Sequence, residues 1–371
     1  INVGGIRTRN LNNGNGGDGG KITIETTGLL SVNIADTRSG NNIIPPTPIN
    51  DGFSIGSEAD RNGGEINIIA KGGINTVGGI VSNSRGSGKG GDITINGGNG
   101  VINIAAGTVD SSSLSGNAGK IEFNAAGDIT AGNILSYSGL LGKAGNVNLT
   151  SSNGIINTSA GIINASSGTG SAGDVKLTAR ENILSGSIES VGTQGGNITL
   201  NSGGKISLNQ ADIASITVGK GKGSDIRLSA NKIELTDARV ATVKVGEGRG
   251  GDLFVNASDS LGIKNNGNSS PNGMGSYFFE AFKGSLRGSG LANTTLTSPE
   301  GGRADSGNIE ITTRGLSIEN QQNPKLELKN SLTLTGIGTL PLGDGNAGNI
   351  TVNASDFVKI TGNDSTPYNT A

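Results

Sequence analysis

Apolar and polar residues alternate with a period of two in short bursts that recur along the whole chain. Gly90-Gly91-Asp92-Ile93-Thr94-Ile95 shows the unit, with Ile93 and Ile95 on one side of an extended segment and Asp92 and Thr94 on the other. The pattern returns as Gly63-Gly64-Glu65-Ile66-Asn67-Ile68, Gly195-Gly196-Asn197-Ile198-Thr199-Leu200 and Gly250-Gly251-Asp252-Leu253-Phe254-Val255. With Ala or Ser ahead of the glycine it returns at Ala118-Gly119, Ala144-Gly145, Ala172-Gly173, Ser306-Gly307 and Ala347-Gly348; Gly19-Gly20 opens the series and Gly223-Ser224 has serine second. The second small residue of these eleven copies falls at 20, 64, 91, 119, 145, 173, 196, 224, 251, 307 and 348. Most intervals cluster at about 27 residues, the size of one unit of a stacked repeat.

Two and four residues after the small residue, all 22 positions are apolar, from Ile22 and Ile24 to Ile350 and Val352. The residue between them is polar in every copy except Phe254. This predicts a strand with one buried and one wet face. The next position carries Asn96, Asn124, Asn201 and Asn256 among others, and is expected to form a polar ladder from turn to turn. Residues 224–251 add two more strands, 232–235 and 238–245, the latter carrying Val240, Val243 and Val245. Three strands and three corners per turn describe an all-β, single-stranded parallel β-helix, a solenoid of about 12 coils and roughly 55 to 60 Å in length.

Three long intervals interrupt the period. Insertions are expected at 36–51, which holds Pro45, Pro46 and Pro48, and at 264–285 and 320–330. Each follows the second strand of its coil, so all three should leave the rod at one corner. The chain reads as one continuous segment over 1–371, an internal piece of a longer protein.

Composition supports this picture. Glycine is 67 of 371 residues, far above the ordinary share, and no third-residue period makes it collagen. The net charge of −2 and 3% aromatics give nucleic acid nothing to hold. Without cysteine there is no disulfide, thiolate site or cysteine nucleophile. No apolar run is long enough for a membrane-spanning helix.

Candidate chemistry was weighed against this repeat. Gly88-Lys89-Gly90-Gly91 looks like a phosphate loop, but a strand follows it where a helix is needed. Asp92, Asp174, Asp225 and Asp252 share a column that suggests a calcium ladder, yet Lys21 and Lys120 stand in the same column, so a solvated corner is expected and no metal or other cofactor. Histidine is absent and Glu122, Glu234 and Glu310 are scattered over different coils, so no catalytic constellation is expected and the protein is read as no enzyme. Arg85, Lys89, Lys143, Lys220, Lys222 and Arg249 form a basic stripe before the glycine corners. The most site-like segment is the second insertion, where Tyr277, Phe278, Phe279 and Phe282, with Arg287 nearby, form a candidate contact loop; the alternative is that the rings pack onto the rod.

The signature G-[GA]-[DN]-[ILV]-x-[ILV]-x-A resembles the long exoproteins of the filamentous-haemagglutinin type. It is most similar to their cyanobacterial branch, often labelled surface-layer or haemagglutinin-like. "GNAGNITVNASDFVKITG" at 345–362 and "GGDLFVNASDSLGI" at 250–263 carry the resemblance. It implies two-partner secretion through an outer-membrane pore, a right-handed β-helix folded outside the cell, and a role as surface adhesin or fibre. The amino-terminal secretion domain of that family is not recognisable. The expected function is a non-enzymatic extracellular protein of the cell surface, a structural or adhesive component of a fibre, sheath or layer. Its expected partners are copies of itself or surface polysaccharide, with neither nucleic acid nor a membrane span. A polysaccharide-binding or polysaccharide-cleaving β-helix is the alternative.

Overall fold

The computed structural model describes residues 2–3, 6–10, 17–32, 53–59, 61–267, 289–296, 302–321 and 335–362. Among them every regular element is a strand and none is a helix. Of these strands, 28 join in one continuous parallel sheet, which wraps into a stacked solenoid. Gly248–Arg249 and Ala304–Asp305 form a separate two-stranded pair at a corner.

The first strands of all eleven copies lie in one register. Ile22, Ile66, Ile93, Ile121, Val147, Val175, Ile198, Ile226, Leu253, Ile309 and Ile350 are successive partners. A second face stacks Leu30, Ile74, Ile102, Ile129, Ile156, Ile183, Ile206, Ile233, Leu261, Leu316 and Val358. A third stacks Ile55, Ile80, Val109, Ile134, Ile163, Ile188, Ile213, Val240, Leu291 and Ile337. These columns meet in a single apolar core. A slip of one residue would turn every branched side chain outward, so the alternation itself fixes the register.

The strand faces follow the alternation. Ile66, Ile68, Ile93, Ile95, Leu149 and Leu177 have no exposed surface, while Asn67, Thr94 and Asn148 between them are partly open to solvent. Each fully buried isoleucine or leucine is worth about 1.5–3 kcal/mol. Ile350 and Val352, also expected inside, are 44% and 38% exposed, because no described coil stacks beyond theirs. The first two strands, separate in the pattern, fuse in later coils. Ile226–Thr236, Leu253–Asn265 and Ile309–Asn320 run through the intervening corner with a register shift there, the effect of an extra residue on one strand.

The third strand departs from its apolar pattern. In Arg239–Val245, Val240 enters the core, but so do Thr242 and Lys244, while Ala241 and Val243 face outward. Ala214, Ile216, Ala241, Val243 and Ala292 form a separate outer cluster that is nonetheless buried.

The expected insertions fall largely outside the described residues. At their edges, Lys264 still pairs with Glu319 and Asn265 with Asn320, so Lys264, Asn265 and Asn320, expected in insertions, belong to strands. The described strand before the first gap, Leu30–Val32, lies on the second face, and Phe53–Ala59 after it lies on the third.

Candidate functional site

The feature that repeats most strictly is the glycine corner. A Cβ on Gly145 would sit 2.0 Å from the carbonyl oxygen of Gly119 and 2.5 Å from Ser136 Oγ. One on Gly173 would sit 2.0 Å from the oxygen of Gly145, and one on Gly196 at 2.0 Å from that of Gly173. The corners stack backbone on backbone and leave no room for a side chain. Ser224, the exception, has its Oγ only 2.9 Å from where a Cβ on Gly195 would stand, so the missing side chain there makes room for it.

Hydroxyls from the third strand lock these corners from within. Ser190 Oγ donates to the carbonyl of Gly173 at 3.0 Å and accepts from the amide of Gly196 at 3.0 Å. Ser57 makes the same bridge between Gly20 and Gly64, at 3.0 and 3.1 Å. Ser136, Ser215 and Thr339 donate to Gly119, Gly196 and Gly348 at 2.6, 2.8 and 3.1 Å. This explains Thr242 inside the rod: a buried hydroxyl is tolerated because it satisfies a corner carbonyl, and Thr242 donates to Gly251 at 3.0 Å.

The polar ladder exists, but not where the sequence pattern places it. Asn96 accepts from Gly98 within its own turn, and Asn124 donates to Glu122. The ladder runs instead through the residue after the corner glycine. The amide of Asp174 donates to Asn146, that of Asn197 to Asp174, of Asp225 to Asn197, of Asp252 to Asp225, of Asn308 to Asp252, and of Asn349 to Asn308, over 2.7–3.0 Å. Lys120 donates likewise to Asp92 at 3.0 Å. The corner is hydrogen-bonded while most of its column stays exposed, including Asn146, Asp174, Asn197 and Asn308; only Asp225 and Asp252 are buried. Among the described residues no group of acidic side chains is placed to hold a metal ion.

Most of the basic stripe is matched by carboxylates. Lys89 pairs with Asp92 at 2.9 Å, Lys220 with Glu247 at 3.1 Å, and Lys222 with Asp225 and Asp252 at 3.1 and 3.6 Å. Arg249 pairs with Asp252. Burial alone would raise the Asp252 carboxyl, but the Arg249 guanidinium and the Asn308 amide hold it below the ordinary range. Glu122 and Glu234, scattered as the sequence suggests, are also paired: Glu122 with Lys120 at 3.4 Å, and Glu234 with Lys232 at 2.7 Å and Lys205 at 3.0 Å. The hydrogen bond from Lys232 lowers the Glu234 carboxyl.

Glu189, Asp212, Asp237 and Lys244 are buried ionisable groups to which the apolar pattern gives no clue. Glu189, on the outer side of the third face, is 3% exposed, and its Oε1 has no hydrogen-bond partner. Burial, reinforced by the charge of Asp212, raises its carboxyl to about 7. Asp212 is held by Arg239 through two hydrogen bonds of 2.7 and 2.6 Å. A carboxyl near 7 suits a general acid, but this one is closed to solvent and its neighbouring carboxylate is committed to Arg239. Lys244 is fully buried and points into the rod, where its ammonium donates to the carbonyls of Gly219 and Val245; burial lowers it. Glu189 and Lys244 both sit on third strands, Ile188–Gly192 and Arg239–Val245, where the apolar residues do not alternate cleanly.

Open cavities interrupt the surface of the described residues. A groove of about 380 Å³ crosses the second face, with Gly262 in its lining, Phe357 at one end and Lys232, Glu234, Lys264 and Glu319 around it. A notch of about 550 Å³ lies at the second corner between residues 159–162 and 207–210. The candidate contact residues Tyr277, Phe278, Phe279, Phe282 and Arg287 lie outside the described residues.

No family model, curated protein or solved structure matches the chain. Among the described residues no helix is long and apolar enough to cross a membrane.

Proposed function

We propose that the chain is a stretch of right-handed parallel β-helix, about 12 coils of three strands, with three insertions after second strands. It serves outside the cell as a structural or adhesive component of a surface fibre, sheath or layer. The reading rests chiefly on the corner column: from Gly145 to Gly348 each described coil is bonded to the next by a polar side-chain ladder beside closely stacked glycine corners. Such a stack transmits force along its axis and holds its corners at fixed spacing. Those are the properties of a stiff spacer that displays contacts. The resemblance to haemagglutinin-type exoproteins supplies the secretion route and the surface location. Its contacts on this reading are further copies of itself or surface polysaccharide.

Imaging tests this. Negatively stained molecules of the chain should be straight rods of roughly 55 to 60 Å, and antibody against it should decorate the surface of unpermeabilised cells. Compact particles, or label only inside permeabilised cells, would overturn the proposal.

A further inference from the structure

Besides the three long intervals, the spacing of the corner glycines contains one short one. From Gly173 to Gly196 the coil is 23 residues, against 28 on either side, from Gly145 to Gly173 and from Gly196 to Ser224. Two of the five missing residues are lost at the corner between the second and third faces. Between core positions of the second and third faces, the flanking coils run seven residues, Ile156 to Ile163 and Ile206 to Ile213, but the short coil runs five, Ile183 to Ile188. A recessed corner between two longer ones leaves the 550 Å³ notch.

Its walls are held in place. Asn133 Oδ1 accepts from the amide of Ile162 at 3.1 Å, and Asn157 Oδ1 from both the amide and hydroxyl of Ser159 at 3.1 and 2.7 Å. At the floor, Gly186 donates to the carbonyl of Thr158 at 3.2 Å, and a Cβ there would sit 2.1 Å from Gly161 O, so the recess depends on glycine. On the far wall, the amide of Asp212 donates to Ser187 Oγ at 3.0 Å, and Gln210 takes a left-handed φ of 50°. The side chains of Ser207, Asn209 and Gln210 face this space with no partner in the hydrogen bonds described. Leu184 and Ile162 add apolar surface, and no lining residue is charged.

We propose that this notch binds a neutral saccharide unit. Hydroxyls and carboxamides both donate and accept, as sugar hydroxyls do, and Leu184 and Ile162 offer a place for the C–H face of a ring. An anionic polymer would bring charges that nothing in the lining compensates. The size is that of a small-molecule site. The inference deepens the reading of a display rod by giving one corner a ligand class. Its failure is distinguishable from failure of that reading, because rod shape and surface location do not depend on the notch.

The test is calorimetric titration of the full chain with maltohexaose, cellohexaose and mannohexaose, with hexagalacturonate as the charged comparison. One neutral oligosaccharide should bind, and S207W, which fills the notch, should weaken it roughly tenfold or more. Q210G, which removes an amide where glycine adopts the backbone freely, should weaken it by a smaller factor with an unchanged melting curve. It carries the test if S207W does not fold. No binding of any neutral oligosaccharide at about 10 mM, binding indifferent to both variants, or preference for hexagalacturonate would each refute the proposal.

Discussion

The main-chain amide of Asp252 donates to a carboxylate oxygen of Asp225 one coil away, at 2.9 Å. Two acidic residues thus stand in adjacent coils without repelling each other apart, because Lys222, Arg227 and Arg249 surround them. Removing Asp225 orphans the Asp252 amide and strips Lys222 and Arg227 of a partner. D225A should therefore destabilise the rod by about 1–3 kcal/mol, read as a lower thermal midpoint. D225N keeps the acceptor oxygen and should lose less. If D225A melts like the wild type, the ladder contributes nothing to stability.

The glycine column makes a sharper contrast. G145A places a methyl group 2.0 Å from Gly119 O and should cost at least about 1–3 kcal/mol. G28A meets nothing within 4 Å and should stay within about 0.5 kcal/mol of the wild type. Equal midpoints for the two variants would show that corner packing is not what selects glycine.

Strand parity can be tested at neighbouring residues. Ile95 has no exposed surface and Thr94 is half-buried on the outer side. I95D buries an unpaired charge and should cost several kcal/mol, on the order of 3 or more; T94D should cost about 1 kcal/mol or less. Circular dichroism during urea unfolding separates them, and a reversed order would mean the faces are exchanged.

Glu189 predicts a pH dependence. Its folded carboxyl lies at about 7, above the ordinary 4.5, because burial and the Asp212 charge oppose ionisation. The folded state holds the proton more tightly, so the stability that Glu189 contributes is full below pH 4.5, is lost as pH rises toward 7, and changes no further above that. The full change is on the order of 3 kcal/mol. Asp252, Asp305 and Glu234 shift downward and act in the acid range, outside this window. E189Q should flatten the profile between pH 5 and 8; a variant with the wild-type slope would remove Glu189 as its source.

How much was legible before the structure depends on the strand. Ile93 and Ile95 announce their burial, since alternation maps directly onto a pleated surface. Asp92 is partly open to water, as an aspartate after a glycine suggests, but only stacking shows that its oxygen also meets the amide of Lys120. The third strand was legible only as a valine-rich segment, with no facing assigned to Val243. Val243 faces out because the inward positions beside it, Thr242 and Lys244, serve backbone carbonyls that apolar side chains cannot satisfy. The notch was visible as a short interval, but an interval does not say which corner lost the residues.

The Asp and Asn side chains of the corner ladder all accept from the coil that follows them in sequence, and none of these rungs points the other way. The stack consequently has a head and a tail. Cut at any of these rungs, the stack shows unlike faces, open side-chain oxygens on the amino-terminal part and open main-chain amides on the carboxy-terminal part. Two such faces complement each other only head to tail, so the ladder gives the rod a polarity that an end-to-end contact has to respect.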